Sequence, residues 1–184
     1  MLFRSFSLAA RLYSIFALFA LLTAAIAVLS DYNTRKAAEL TSAIETANLA
    51  ALNVERVNSL VYAVVMESRG VYMSEDAATR KKYAEGLLQF NDQIAQIVDT
   101  WERKVRPEYL AQFTPFAARV RQFIEFRKEL ARLGVEVGQV AGRTWGDNDA
   151  NRAVRKALNQ DLETLERLYS QQARNVYEIG RAHV

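Results

Sequence analysis

Cysteine is absent from this chain and histidine occurs once, as His183. No disulfide, thiolate metal site or cysteine nucleophile can form, and neither a histidine-based triad nor a histidine metal site has the residues it needs. Proline occurs twice and glycine seven times in 184 residues. No strand is evident, so no glycine-rich phosphate loop follows one. Carboxylate pairs such as Glu163 and Glu166 fall at helical spacing beside Arg167 and read as a solvated face. The expectation is a protein that is not an enzyme and uses no metal or cofactor. Excess charge is also scarce. The formal net charge is +3, part of it in the amino-terminal tail and the rest scattered among acids, so nucleic acid is not an expected partner.

The residues that are present favour helix, and 51% of the chain is hydrophobic. Leu12 to Ser30 is an uncharged run of nineteen residues, about 28 Å long as a helix and close to the hydrocarbon thickness of a bilayer. Arg4 and Arg11 precede it and Asp31 is the first charge beyond it. That asymmetry keeps the tail 1–11 cytoplasmic, makes 12–30 a transmembrane helix and exports the remainder. A cleavable signal peptide is the competing reading, since Ala25-Ile26-Ala27 offers a small-residue cleavage pattern, but this run exceeds the usual apolar region of such leaders. Ala20, Ala24 and Ala27 share a face that suits close approach of another membrane helix, or simply reflect the abundance of alanine in such segments.

Four amphipathic helices are expected after the span, over about 31–73, 75–104, 107–142 and 148–178. On the first, Leu40, Ile44, Ala47, Ala51, Val54, Asn58, Val61, Val65, Ser68 and Tyr72 follow one another at alternating steps of four and three, the seam of a helix packed at a shallow angle. Leu49, Leu52, Leu60, Val64 and Val71 widen the stripe, which suits a bundle better than a two-stranded coil. Ser74 is the expected cap of the second helix, whose inward row is Tyr83, Leu87, Phe90, Ile94, Ile97 and Trp101. Pro107 suits the first turn of the third, with Phe113, Phe116, Val120, Phe123, Leu130, Leu133 and Val137 inward. Gly134, Gly138 and Gly142 recur every four residues, which argues either for fraying or for close approach of another backbone. Gly142 to Asn148 reads as a turn, with Asp147 or Asn148 capping a fourth helix that carries Val154, Leu158, Leu162, Leu165, Tyr169 and Val176 inward. The fold class implied is all-α: a transmembrane helix continuing into an up-down-up-down four-helix bundle over 31–178.

Helix four is expected to stop short of the bilayer, having about thirty residues against the forty of helix one, and the chain is therefore read as a fragment. Ile179 to Val184 has its own explanation. The frame ATC GGA AGA GCA CAC GTC, the start of a widely used sequencing adapter, encodes those residues, so 179–184 is expected to be a non-native read-through tail.

Binding is the chemistry these residues suit. Arg56, Asn58 and Arg69 lie on helix one with Tyr62 and Tyr72 beside them, and arginines so placed can fork a ligand carboxylate. The alternative is that both arginines are solvated and Asn58 only fixes register. The turn carrying Arg143, Trp145 and Asp147 is a second candidate, with Trp145 either stacking a ligand or closing the bundle end. Trp101 is expected in the core.

The stretch Val54–Ser74 (VERVNSLVYAVVMESRGVYMS), supported by Tyr83–Asp92 (YAEGLLQFND), resembles the sensor region of bacterial methyl-accepting chemotaxis proteins, in particular alphaproteobacterial receptors with a four-helix-bundle sensor. The resemblance covers about the first 178 residues. It implies a homodimer through helix one in the bacterial inner membrane, with a periplasmic bundle that binds a small molecule or a periplasmic binding protein. It further implies a chemotaxis kinase and coupling adaptor reached only through a cytoplasmic region absent from this sequence. The sensor half of a histidine kinase or cyclic-dinucleotide enzyme, and a membrane-anchored helical adaptor, remain the alternatives.

Overall fold

The computed structural model describes the backbone of residues 7–182 and side chains through Glu178. Arg4, His183 and the side chains of the expected tail 179–184 lie outside the described residues. Five α-helices follow one another: α1 (Leu8–Met73), α2 (Ala77–Glu102), α3 (Leu110–Glu136), α4 (Gln139–Gly146) and α5 (Asp149–Ala182), with a 3-10 turn over Pro107–Tyr109 before α3. No strand occurs among the described residues.

The chain divides into two compact units, one made of residues up to Glu45 together with those from Val176, the other spanning Thr46–Asn175. The first contains the apolar part of α1, which is long and apolar enough to cross a membrane, with none of its most apolar window buried. Its large apolar side chains from Leu12 to Leu29 are each more than half exposed. Leaving them in water would forgo on the order of 10 kcal/mol or more of transfer free energy, as much as a whole domain's stability.

The second unit has one apolar core fed by α1, α2, α3 and α5. Phe113, Phe116, Leu87, Ile94, Leu130 and Leu158 are fully enclosed. On α1 the buried row is Ala47, Ala50, Val54, Val57, Val61, Val64, Ser68 and Val71. Half of it is the expected seam, but its alternate members sit one position earlier than Ala51, Asn58, Val65 and Tyr72. Both phases share Ala47, Val54, Val61 and Ser68. Burial favours the phase that encloses Val57, Val64 and Val71 over the one that would enclose Asn58 and a tyrosine hydroxyl. α2 shows a similar offset, burying Ala84, Asn91 and Val98 between Leu87, Ile94 and Trp101. Phe90 and Ile97 pack against the edge of the core. Tyr83 lies over Gly70, where a Cβ on α1 would collide with its ring. On α3, Leu133 is only half-buried and Val137 is exposed, while Arg127 and Gly134 take buried positions.

The caps correct two expectations. Asp76, not Ser74, caps α2, its carboxylate accepting from the Thr79 amide at 2.7 Å; the Ser74 hydroxyl donates to the Gly70 carbonyl instead. Hydrogen bonds from the Thr79 hydroxyl and from its amide hold the Asp76 carboxyl below the usual carboxylate range. The single third helix expected over 107–142 is two helices. α3 ends at Glu136, Val137 and Gly138 both donate to the Leu133 carbonyl, and Gly138 takes φ +129°, a conformation open to glycine. The expected turn from Gly142 is helical through Gly146 because α4 folds back against α3. A Cβ on Gly142 would stand 3.0 Å from the Gly134 Cα. The glycine series thus serves both a break and a close backbone approach. Asn148 caps α5, accepting from the Asn151 amide at 2.8 Å.

Candidate functional site

Within the Thr46–Asn175 unit, α1, α2, α5 and the segment after α2 enclose a cavity of about 360 Å³, inside the size range of small-molecule sites. The heptad faces explain its position: α1 presents Leu49, Ala50, Asn53 and Arg56, α2 presents Gln96, Ile97 and Trp101, and α5 contributes Tyr169. Lys104, Val105, Arg106 and Tyr109 close it. Its aromatic wall is rigid. Trp101 stands edge-on to Phe113 at 4.9 Å and to Phe116 at 5.8 Å, and Tyr169 lies 5.7 Å from both Trp101 and Tyr109. Such edge-to-face pairs add to area burial and hold the rings in place. Burial pushes the Tyr169 phenol up to about 12, against a hydrogen bond from Trp101 that acts the other way, so the ring remains neutral across the physiological range.

The polar side of this cavity is cationic. Arg56, Lys104 and Arg106 line it and no carboxylate does. Arg106 is paired with Glu108 at 2.9 Å, whereas Arg56 and Lys104 form no ion pair among the described residues. A shallower groove of about 500 Å³ continues from Arg56, Gln96 and Ile97 toward Glu55 and Gln93. Apolar aromatic walls with a basic rim suit a ligand that has an apolar body and an anionic head.

The residues singled out from sequence do not form one site. Arg56 belongs to this cavity. Asn58 and Tyr62 line a separate crevice of about 100 Å³ with Asn159 and Glu163. Arg69 and Tyr72 border an arginine-rich pocket at the other end of the unit's stretch of α1. Thirteen residues separate Arg56 from Arg69, about 20 Å along a helix, so one small carboxylate cannot bridge them. Arg143 is exposed, 3.9 Å from Asp147. Trp145 donates its indole N–H to the Phe126 carbonyl at 2.9 Å and lies edge-on to the Phe126 ring. These contacts tie it to α3 at the end of the core. Trp101 is buried, and it forms part of the cavity wall as well as the core.

Sequence reasoning misses Lys104, Tyr109 and Tyr169 as site residues, because the segment after α2 that carries the first two lies about sixty residues from Tyr169 on α5. Arg127 did leave a signal: the apolar row on helix three skips from Phe123 to Leu130, and the position between them carries the arginine. Among the described residues no group of three His, Cys, Asp or Glu side chains could hold a metal ion. Comparison with family models, curated proteins and solved structures found no match.

Proposed function

We propose that this chain is the ligand-sensing portion of a transmembrane chemoreceptor of the methyl-accepting kind, anchored in the bacterial inner membrane with its sensor in the periplasm. In this reading the Thr46–Asn175 unit is an up-down-up-down four-helix bundle and the cavity beside Arg56 is its sensory site. The observation that carries it is the 360 Å³ basic-rimmed cavity on α1, the same unbroken helix that holds the candidate span. The sequence resemblance over Val54–Ser74 supports the family.

The ligand is a small organic anion with an apolar or aromatic body, held by Arg56 and Lys104 against Trp101, Tyr109 and Tyr169. Binding changes output only to the extent that one arrangement of the helices binds better than the other. A tenfold preference is worth about 1.4 kcal/mol. A homodimer through helix one is the assembly proposed, and Leu52, Tyr62 and Met66, exposed on α1, are the apolar residues available for it. In this reading the chemotaxis kinase and its coupling adaptor are reached through a cytoplasmic signalling region.

The test is a fusion of residues 1–178 to the second membrane helix, linker and signalling rod of a working chemoreceptor, with kinase output read in cells against aromatic and aliphatic carboxylates. A saturable change in output that Arg56→Ala and Tyr169→Ala weaken at least tenfold is the expected result. A fusion that controls the kinase but ignores every such anion would overturn the site. One that never controls the kinase, despite correct insertion, would favour an adaptor role.

A further inference from the structure

The second enclosure lies where α1 ends and α5 begins. It measures about 130 Å³ and four of its walls are arginines: Arg69 from α1, Arg127 from α3, and Arg152 and Arg155 from α5. Arg127 is only 4% exposed. Its Nη1 donates to the Ser68 hydroxyl at 3.3 Å, its guanidinium carbon lies 5.0 Å from the Phe123 ring centroid, and its Nε has no partner among the described residues. No carboxylate forms an ion pair with it among the described residues. Burial pushes this guanidinium down to about 10, which leaves it cationic at neutral pH. An enclosed cation without a counter-ion costs several kcal/mol, and a core position otherwise suited to leucine gives no reason to bear that cost.

The surroundings reinforce the positive potential instead of offsetting it. Arg152 is taken by the exposed Asp149 at 2.9 Å. Arg69 and Arg155 form no ion pair among the described residues. Asp147 is the sole acid on the walls. The capped amino terminus of α5 contributes its own partial positive charge nearby.

We infer that this pocket binds a small oxyanion carrying at least two negative charges, phosphate or a short dicarboxylate, with Arg127 as the enclosed ligand and Arg69 and Arg155 completing the charge. The volume corresponds to about four waters, room for either anion and too little for a nucleotide. Bound there, the anion joins α1, α3 and α5 and supplies the missing counter-charge. The inference stands on the enclosure of Arg127 and holds whether or not the chain is a chemoreceptor.

The test is calorimetric titration of the full chain in uncharged detergent micelles with inorganic phosphate and with succinate, at constant ionic strength. Saturable one-to-one binding of either probe is expected, weakened at least tenfold in Arg127→Met and in Arg155→Gln and unchanged in Arg132→Gln, an exposed arginine elsewhere on α3. Without probe, Arg127→Met should melt no lower than the parent, since it removes an enclosed charge that has no counter-ion and keeps an apolar side chain along the path of the arginine's aliphatic stem. Phosphate alone binding would assign phosphoryl chemistry, and succinate alone carboxylate chemistry. Binding of neither, or binding that survives both Arg127→Met and Arg155→Gln, would overturn the inference.

Discussion

Tyr169 and Arg127 are both titratable and both enclosed, and burial moves them in the directions their charges dictate. The Tyr169 phenol is raised from 10.0 to about 12. Above pH 10 the unfolded chain releases a proton that the folded chain retains, so the unfolded state is favoured and stability falls until about pH 12. For Arg127, lowered by burial to about 10, the sign reverses: the fold gives up its proton first, and stability rises across the same window. Tyr169→Phe isolates the tyrosine effect. Denaturant midpoints of variant and parent at steps between pH 9 and 12 should diverge in the variant's favour by on the order of 2 kcal/mol. A gap that stays constant would mean that Tyr169 ionises as freely folded as unfolded.

Residue identities read from sequence were informative where periodicity applied and silent where several segments converge. Arg56 was recognised and lies on the aromatic cavity, because an arginine beside a seam must border whatever space the seam leaves. Tyr109 and Tyr169 were not, since nothing local says that the segment after α2 and the middle of α5 face one another. Asn58 was read as a seam residue and sits one step off it.

At the scale of elements, the helices were legible because apolar residues recur at heptad spacing through Val54, Val61, Leu87, Ile94, Val120, Leu158 and Leu165, all buried. The phase of the alternate row was less so. Steps of four-three and three-four share half their members, and the choice between them is made by partners on other helices. The break at Gly138 shows the same limit: the glycine spacing announced something unusual between α3 and α4, but whether it meant a stop or a contact required both helices in place. A pair of substitutions separates these roles. Gly142→Ala gains about 1 kcal/mol of helix propensity yet drives a methyl against the Gly134 backbone, and overpacking of that kind costs about 1–3 kcal/mol. Gly86→Ala meets only the flexible carboxylate end of Glu67, so the propensity gain should survive. Thermal melts should therefore rank Gly86→Ala at or above the parent and Gly142→Ala below it. The reverse order would show that α4 does not rest on α3.

For the whole molecule, the distribution of apolar surface matters more than any single site. The Thr46–Asn175 unit gathers large apolar side chains from four helices into one core, whereas those between Leu12 and Leu29 are all displayed to the surroundings. Hydrocarbon would remove this penalty, and in the reading proposed above Arg11 before the run and Asp31 after it orient the crossing. The all-helical class and a helix long and apolar enough to cross a membrane were legible from the sequence, because few turn-forming residues and one long uncharged run leave little else to build. In the proposed reading the charge flanks set the side of the membrane on which the core lies, and that side decides whether the protein meets external solutes at all.

The sequence has no cysteine, so single cysteines introduced into it report topology without background. Gln89→Cys, at an exposed position on α2, and Ser5→Cys, before the span, can each be treated in bacterial cells with a membrane-impermeant maleimide after the outer membrane alone is opened. Gln89→Cys should be labelled at once, Ser5→Cys only after the inner membrane is broken, and both proteins should remain in the membrane fraction at full length. Protection of Gln89→Cys until lysis, or recovery of a shortened and freely soluble protein, would contradict it.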